Sequence, residues 1–293
     1  MALGERDPHT GHMTTGHEWN GITELNTPVP RPVYFFLAAT FTFAVIYWVL
    51  MPAWPLWSTY TKGLLGASDR NALTESLQQA AAAREVWTKR IESEDYATVQ
   101  ADPGLMQSVR DSGRTLFTDN CAVCHGGKAT GGPGYPNLTG ASWLWGGSPE
   151  MVAETLRVGI NSGHPEARTS QMLAFGRDQM LSRADVENVT TYVQSLSKPA
   201  MSKNADTKSP AAGTKAFETN CISCHGENGK GNPELGAPDL TDHFWIYGGD
   251  RQSIYTSIFN GRQGFMPSWE DRLSPLERKI LTLYVLDLGP GPK

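Results

Sequence analysis

A five-residue stretch occurs twice in the chain, Cys121-Ala122-Val123-Cys124-His125 and Cys221-Ile222-Ser223-Cys224-His225, and the two copies use all four cysteines. A C-x-x-C-H run is the pattern of haem c attachment: two thiols form thioethers and the adjacent histidine becomes an axial iron ligand. A redox-active C-x-x-C pair or half of a zinc site shares the cysteine spacing. Neither requires the following histidine, and neither accounts for the recurrence. The expectation is two covalently bound haems c, one on Cys121 and Cys124 and one on Cys221 and Cys224, with His125 and His225 on iron. Each haem is a large apolar body around which a small domain closes. That suits a chain with only 39% hydrophobic residues, 30 Gly and 19 Pro.

A second stretch cannot be solvated. From Pro32 to Thr61 there is no charged side chain, and Val33 to Met51 is almost unbroken apolar sequence, long enough to cross a bilayer as a helix. Aromatic residues mark its ends, Tyr34 and Phe35 at the start and Trp48, Trp54 and Trp57 at and beyond the finish, as in an interfacial belt. A cleaved signal peptide fits less well, because the run starts late and lacks a small-x-small site. The reading is an uncleaved, single-pass anchor. Arg31 and Lys62 flank it on both sides, so charge does not orient it. Haem attachment takes place outside the bacterial inner membrane, which puts the haem domains in the periplasm and the N-terminus in the cytoplasm. The net charge of −5 includes no basic stripe, which argues against nucleic acid as a partner.

Sequence repetition sets the remaining boundaries. Gly113, Phe117 and Asn120 before the first motif match Gly213, Phe217 and Asn220 before the second. Downstream, Pro136-Asn137-Leu138-Thr139 matches Pro238-Asp239-Leu240-Thr241, and Trp145-Gly146-Gly147 matches Tyr247-Gly248-Gly249. Leu181-Ser182 and Tyr192-Val193 likewise match Leu273-Ser274 and Tyr284-Val285. A duplicated, mostly helical domain explains this. The expected organisation is an N-terminal segment 1–32, the anchor 33–57, a helical connector 58–101, domains 102–196 and 213–293, and a linker 197–212. Met1 to Gly16 reads as unstructured, His17 to Arg31 as a short amphipathic helical turn with Trp19, Ile22 and Leu25 on one side. Ser68 is the expected cap of a connector helix reaching Ile91, with Leu73 and Leu77 on its apolar face; Ser182 and Ser274 are expected caps of the last helix in each domain.

The sixth iron position decides between binding and electron transfer. In a small c-type domain the partner is a methionine between the attachment site and the last helix. Met266 is the only methionine after the second motif. In the first domain Met151, Met172 and Met180 are available, and Met172, on a loop a few residues before Leu181-Ser182, is placed like Met266. Met172 is therefore assigned to the first haem and Met266 to the second, with His164 as a competing ligand. The carbonyls of Pro136 and Pro238 are expected to orient the axial histidines, and Trp143, Trp145, Trp245 and Tyr247 to cover the haem edges.

With Gly16-His17-Glu18-Trp19-Asn20-Gly21-Ile22 and Glu24-Leu25-Asn26-Thr27-Pro28-Val29-Pro30-Arg31 ahead of the span, the chain resembles the dihaem c-type subunit (CcoP/FixP family) of cbb3-type cytochrome c oxidase. The resemblance implies one transmembrane helix followed by two tandem class I cytochrome c domains, a mainly α fold. It implies electron relay from a donor cytochrome c through two haems c to a monohaem subunit and the haem-copper oxygen-reducing subunit, with no catalysis by this chain alone. One departure is that Met266 is followed by Pro267, as is usual in the family, but Met172 by Leu173. A free-standing membrane-anchored dihaem carrier and a dihaem peroxidase are the alternative classes. The first differs in partners, the second in needing an accessible iron.

Overall fold

Asn20 and Gly21 both have positive φ, 50° and 87°, which is the conformation of a two-residue hairpin turn. The computed structural model describes residues 4–140, 142–197 and 210–289. In it this turn joins strands β1 (Thr14–Trp19) and β2 (Ile22–Leu25) in an antiparallel pair. The expected helical turn over His17–Arg31 is thus a hairpin: the third-residue spacing of Trp19, Ile22 and Leu25 misled, and the Asn-Gly signal was the better guide. Arg6 also bridges to Met13, so the described part of Met1–Gly16 carries structure.

Helix α1 (Arg31–Leu50) follows, with Pro32 in its first turn where no amide partner is needed. None of its residues is buried, and with a mean hydropathy of 2.0 it is, among the described residues, the one helix long and apolar enough to cross a membrane. Its 20 residues reach about 30 Å, the thickness of a hydrocarbon core. The helix points to membrane anchoring. It stops at Leu50, short of the expected end at 57, because Pro52 cannot continue the ladder. The amides of Leu64 and Leu65 return to the carbonyls of Val49 and Leu50 at 3.0 Å. Trp54, Trp57 and Tyr60 lie exposed on or beside the small hairpin β3 (Pro55–Leu56) and β4 (Thr59–Tyr60).

The chain divides into two compact units, Met1–Ala83 and Arg84–Lys293, with the boundary inside helix α2 (Asp69–Ser93). Ser68 caps α2 through Asn71 N at 3.3 Å. Leu73 and Leu77 remain exposed on it, and its one buried residue is Ile91. Ile91 packs with Val99 of α3 (Tyr96–Ala101), with Leu105, Met106 and Val109 of α4 (Pro103–Asn120), and with Ile280 and Leu283 of α11 (Pro275–Leu288).

The remaining helices are α5 (Ala122–His125), α6 (Pro149–Val158), α7 (Arg183–Ser197), α8 (Pro210–Asn220), α9 (Ile222–His225) and α10 (Arg251–Asn260). They do not pack repeat by repeat. Phe117 and Cys121 share a core with Val152 and Leu156 of α6, but also with Leu281, Val285 and Leu286 of α11. Phe217 shares its core with Ile254 and Ile258 of α10, and with Val186, Val189 and Val193 of α7. Each repeat has exchanged its last helix with the other. Gly113 lets α4 approach Tyr284 of α11, and Gly213 lets α8 approach the Asn188 carbonyl of α7; a Cβ at either would collide. Ser182 and Ser274 cap α7 and α11 as expected, the latter in a full capping box with Glu277. Most of the expected linker 197–212 lies outside the described residues.

The exchange passes through two crossing strands. Ile160 and Met266 exchange both backbone hydrogen bonds at 2.9 Å; Met172 N reaches Arg262 O at 2.8 Å and Arg262 N reaches Met172 O at 3.0 Å. Just before each crossing, a glycine ends the helix in the left-handed region: Gly159 after α6, φ 72°, and Gly261 after α10, φ 70°. A side chain there would be strained, and its Cβ would meet the carbonyl of the arriving Met266 or Met172. Gly159→Ala or Gly261→Ala is expected to cost about 1–2 kcal/mol from backbone strain, with more from the collision. A thermal unfolding midpoint unchanged in both variants would contradict this crossing geometry.

Candidate functional site

The two motifs have one local construction. Helix α4 ends with Asn120 donating to the Leu116 carbonyl, and α8 with Asn220 donating to the Ala216 carbonyl, both at 2.8 Å. A single further turn, with His125 N on Cys121 O and His225 N on Cys221 O at 2.9 Å, then carries Cys-x-x-Cys-His. Positions i, i+3 and i+4 of such a turn fall on one side. The two thiols and the imidazole of each motif are thereby presented together. The cysteines are unpaired, and burial pushes the Cys121 and Cys221 thiols up to about 11, with the neighbouring Cys124 or Cys224 adding to it.

After each motif the chain folds back so that a proline carbonyl meets the histidine. His125 Nδ1 lies 3.2 Å from Pro136 O, and His225 Nδ1 lies 3.1 Å from Pro238 O. A carbonyl only accepts, so Nδ1 carries the proton and Nε2 keeps the lone pair that iron requires. Burial lowers the pKa of both imidazoles, against a smaller raising effect of the carbonyl, and so favours the neutral, ligating form. The donor set therefore fits haem c at both positions. Among the described residues no group of three or more His, Cys, Asp or Glu side chains is placed to hold a bare metal ion.

The methionines arrive crosswise. Met266 packs on the core that contains Cys121, while Met172 packs on the core that contains Cys221 and Ile222. The fold thus sets Met266 against the core of the first motif and Met172 against that of the second, opposite to the order expected from the sequence. The crossing strands carry each methionine into the other half, and no local sequence feature distinguishes the two arrangements. Met180 is exposed, and Met151 sits on α6 against Gly146. His164 has both ring nitrogens engaged: Nδ1 accepts from Glu166 N at 3.0 Å and Nε2 donates to Glu270 at 2.7 Å.

Of the four aromatic residues, Trp143 packs on the first core and Trp245 on the second. Trp145 and Tyr247 instead lie under guanidinium groups, those of Arg168 and Arg262, at 5.0 and 4.2 Å from the ring centroids. These two arginines escaped the sequence reading. They stand four residues before Met172 and Met266 respectively, and that shared offset was the available signal.

Residues 11–58 match the family model described as the N-terminal domain of cytochrome oxidase-cbb3, FixP. Residues 111–197 match cytochrome c, and residues 208–285 match cytochrome c oxidase, cbb3-type, subunit III. The class is thus a dihaem cytochrome c for electron transfer, with an N-terminal apolar helix ahead of two cytochrome c domains whose C-x-x-C motifs imply covalent haem c. The chain is 45% identical to the cbb3-type cytochrome c oxidase subunit FixP of Bradyrhizobium sp. (strain ORS 278), covering 98% of each. It is 46% identical to FixP of Azorhizobium caulinodans, over 96% of this chain and 94% of that one. To CcoP of Azospirillum brasilense it is 38% identical, over 99% and 100%. The chain belongs to the FixP/CcoP family of cbb3-type cytochrome c oxidase subunits.

Loss of one thiol pair tests the shared construction. Cys221→Ala with Cys224→Ala is expected to leave one covalent haem by mass and to loosen α7 as well as α8, because both build that core. Protease cleavage confined to residues 213–260, with α7 still protected, would contradict the exchanged packing.

Proposed function

We propose that this chain is the electron-entry relay of a cbb3-type oxidase, accepting electrons from a donor cytochrome c and passing them towards the monohaem and haem-copper subunits. In this reading the membrane is the bacterial inner membrane, crossed once by α1, with the N-terminus cytoplasmic and the haem-bearing unit periplasmic. When bound, the two haems c supply the one-electron couples. The chain's own part is to hold and close each site. Cys121, Cys124, Cys221 and Cys224 fix the cofactors, His125 and His225 ligate one face, and Met266 and Met172 ligate the other, Met266 in the site of Cys121 and Met172 in that of Cys221.

The observation that carries the reading is the fixed tautomer: each histidine gives Nδ1–H to a proline carbonyl, and each core includes one methionine from the other repeat. Two ligands of this kind leave no open position for substrate. A thioether also favours reduced iron and raises the potential, as an electron acceptor in respiration needs.

Detergent purification is expected to recover the chain with haem-copper and monohaem subunits; recovery alone would favour a free-standing carrier. Carbon monoxide should leave both reduced haems spectrally unchanged, and a strong shift at both would favour a peroxidase. Met266→Ala is expected to retain both covalent haems and to lower one potential. Nuclear Overhauser contacts in the reduced protein should place the Met266 methyl over the haem carried by Cys121 and Cys124. A methyl over the other haem would return the ligands to sequential pairing.

A further inference from the structure

Arg168 lies on the first crossing strand, partly buried, with its guanidinium over Trp145. Among the described residues it donates one side-chain hydrogen bond, from Nη2 to the Met151 carbonyl at 3.2 Å. Its Nε is buried and has no partner. Among the described residues no carboxylate forms an ion pair with it, and Glu154, whose charge acts on it, is engaged by Arg157. A buried charged donor left unmatched is costly, because it loses its hydration without gaining an acceptor. Buried unmatched donors are rare enough that an acceptor from outside the chain is expected. Burial also lowers the pKa of this guanidinium, so an anion beside it would stabilise its charge.

The second repeat has the same arrangement. Arg262, like Arg168, stands four residues before a distal methionine, and it stacks on Tyr247, the counterpart of Trp145. Its Nε donates to Ser257 Oγ at 2.9 Å, and among the described residues neither terminal nitrogen has a hydrogen bond or ion pair. Each arginine is held in the half that its strand then leaves. Arg168 stays beside α6, which packs on the core containing Cys121, and Arg262 beside α10, which packs on the core containing Cys221. A guanidinium clamped on an aromatic face, with donors left over beyond its one hydrogen bond, is pre-arranged to take a carboxylate in the plane of the ring-stacked group.

We propose that Arg168 and Arg262 are propionate-binding residues: Arg168 takes a propionate carboxylate of the haem on Cys121 and Cys124, and Arg262 one of the haem on Cys221 and Cys224. The assignment rests on the haem reading above and adds a subsite to it. Each propionate ends in a carboxylate, the acceptor that neither guanidinium finds among the described residues. A fixed cation beside the haem offsets the propionate charge and favours the reduced centre. Each crossing strand then has two functions, holding the haem of its own half by arginine and ligating the haem of the other half by methionine.

The test uses the whole chain in its oxidase complex. Arg168→Gln is expected to keep two covalent haems per chain and to lower one haem potential, multiplying the oxidised-to-reduced ratio at fixed potential by about tenfold, 59 mV for one electron. Arg262→Gln should do the same to the other haem, and Arg168→Lys, which keeps the charge, should restore most of the shift. Unchanged potentials in both glutamine variants, or a shift of the same haem by both, would overturn the proposal. If Arg168→Gln fails to mature, the redox difference infrared spectrum of Arg168→Lys decides. A displaced propionate carboxylate band supports the contact, and an undisplaced one overturns it. Fewer than two covalent haems in the unaltered chain would defeat the haem reading itself, separately from the arginine assignment.

Discussion

Everything in the haem-bearing unit depends on two short backbone ladders, Ile160 with Met266 and Met172 with Arg262. They fix where each strand leaves its own half, and so which methionine, aromatic loop and terminal helix each half receives. Had the strands turned back, α4 would meet α7 and α8 would meet α11. Instead α4 meets α11 through Phe117 on Tyr284, and α8 meets α7 through Phe217 on Tyr192, at 5.8 and 5.1 Å between ring centroids. Such an exchange within one chain is an intramolecular form of domain swapping. It is possible because the repeats kept the same contact residues: the glycine and phenylalanine on the first helix and the tyrosine on the last have counterparts in both.

That same preservation explains what the sequence could and could not reveal. The motifs, the contacts of His125 and His225 with the proline carbonyls, and the Ser274 cap are local, set by spacing within about fifteen residues, and they were legible. The serine caps and the helix over Arg31–Leu50 were legible for the same reason. The pairing of methionine with motif was not, because an interface built from duplicated residues accepts either copy. Composition and periodicity are identical in the two topologies. Only the lengths and directions of the strands at Gly159 and Gly261 decide. The hairpin at Thr14–Leu25 failed for a different reason: three apolar residues at helical spacing outweighed a two-residue turn signal that is short but more specific.

The arginines show a third kind of illegibility. A charged residue in a loop is usually solvated, and nothing in the sequence marks Arg168 as half-buried over an indole. Its role emerges only when burial, stacking and the missing acceptor are seen together. Arg157 makes the contrast clear. It stands at the end of the neighbouring helix with Glu154, Glu166 and Glu270 around it, a cation whose needs the chain itself meets. Arg157 is thus ion-paired within the chain, whereas Arg168 keeps a buried donor for a group the chain must acquire.

The fixed tautomers complete the argument about closure. His164 is the one imidazole on a crossing strand, and it would be the natural rival to a methionine ligand. To ligate iron it would have to give up either the Glu166 amide or the Glu270 carboxylate, a contact that a half-buried ring does not lose without cost. His125 and His225 differ in one respect: a carbonyl occupies one nitrogen and leaves the other as a base. The chain therefore sorts its imidazoles by hydrogen bonding alone, tying off the one that could disturb the relay and leaving a lone pair on the two that serve it.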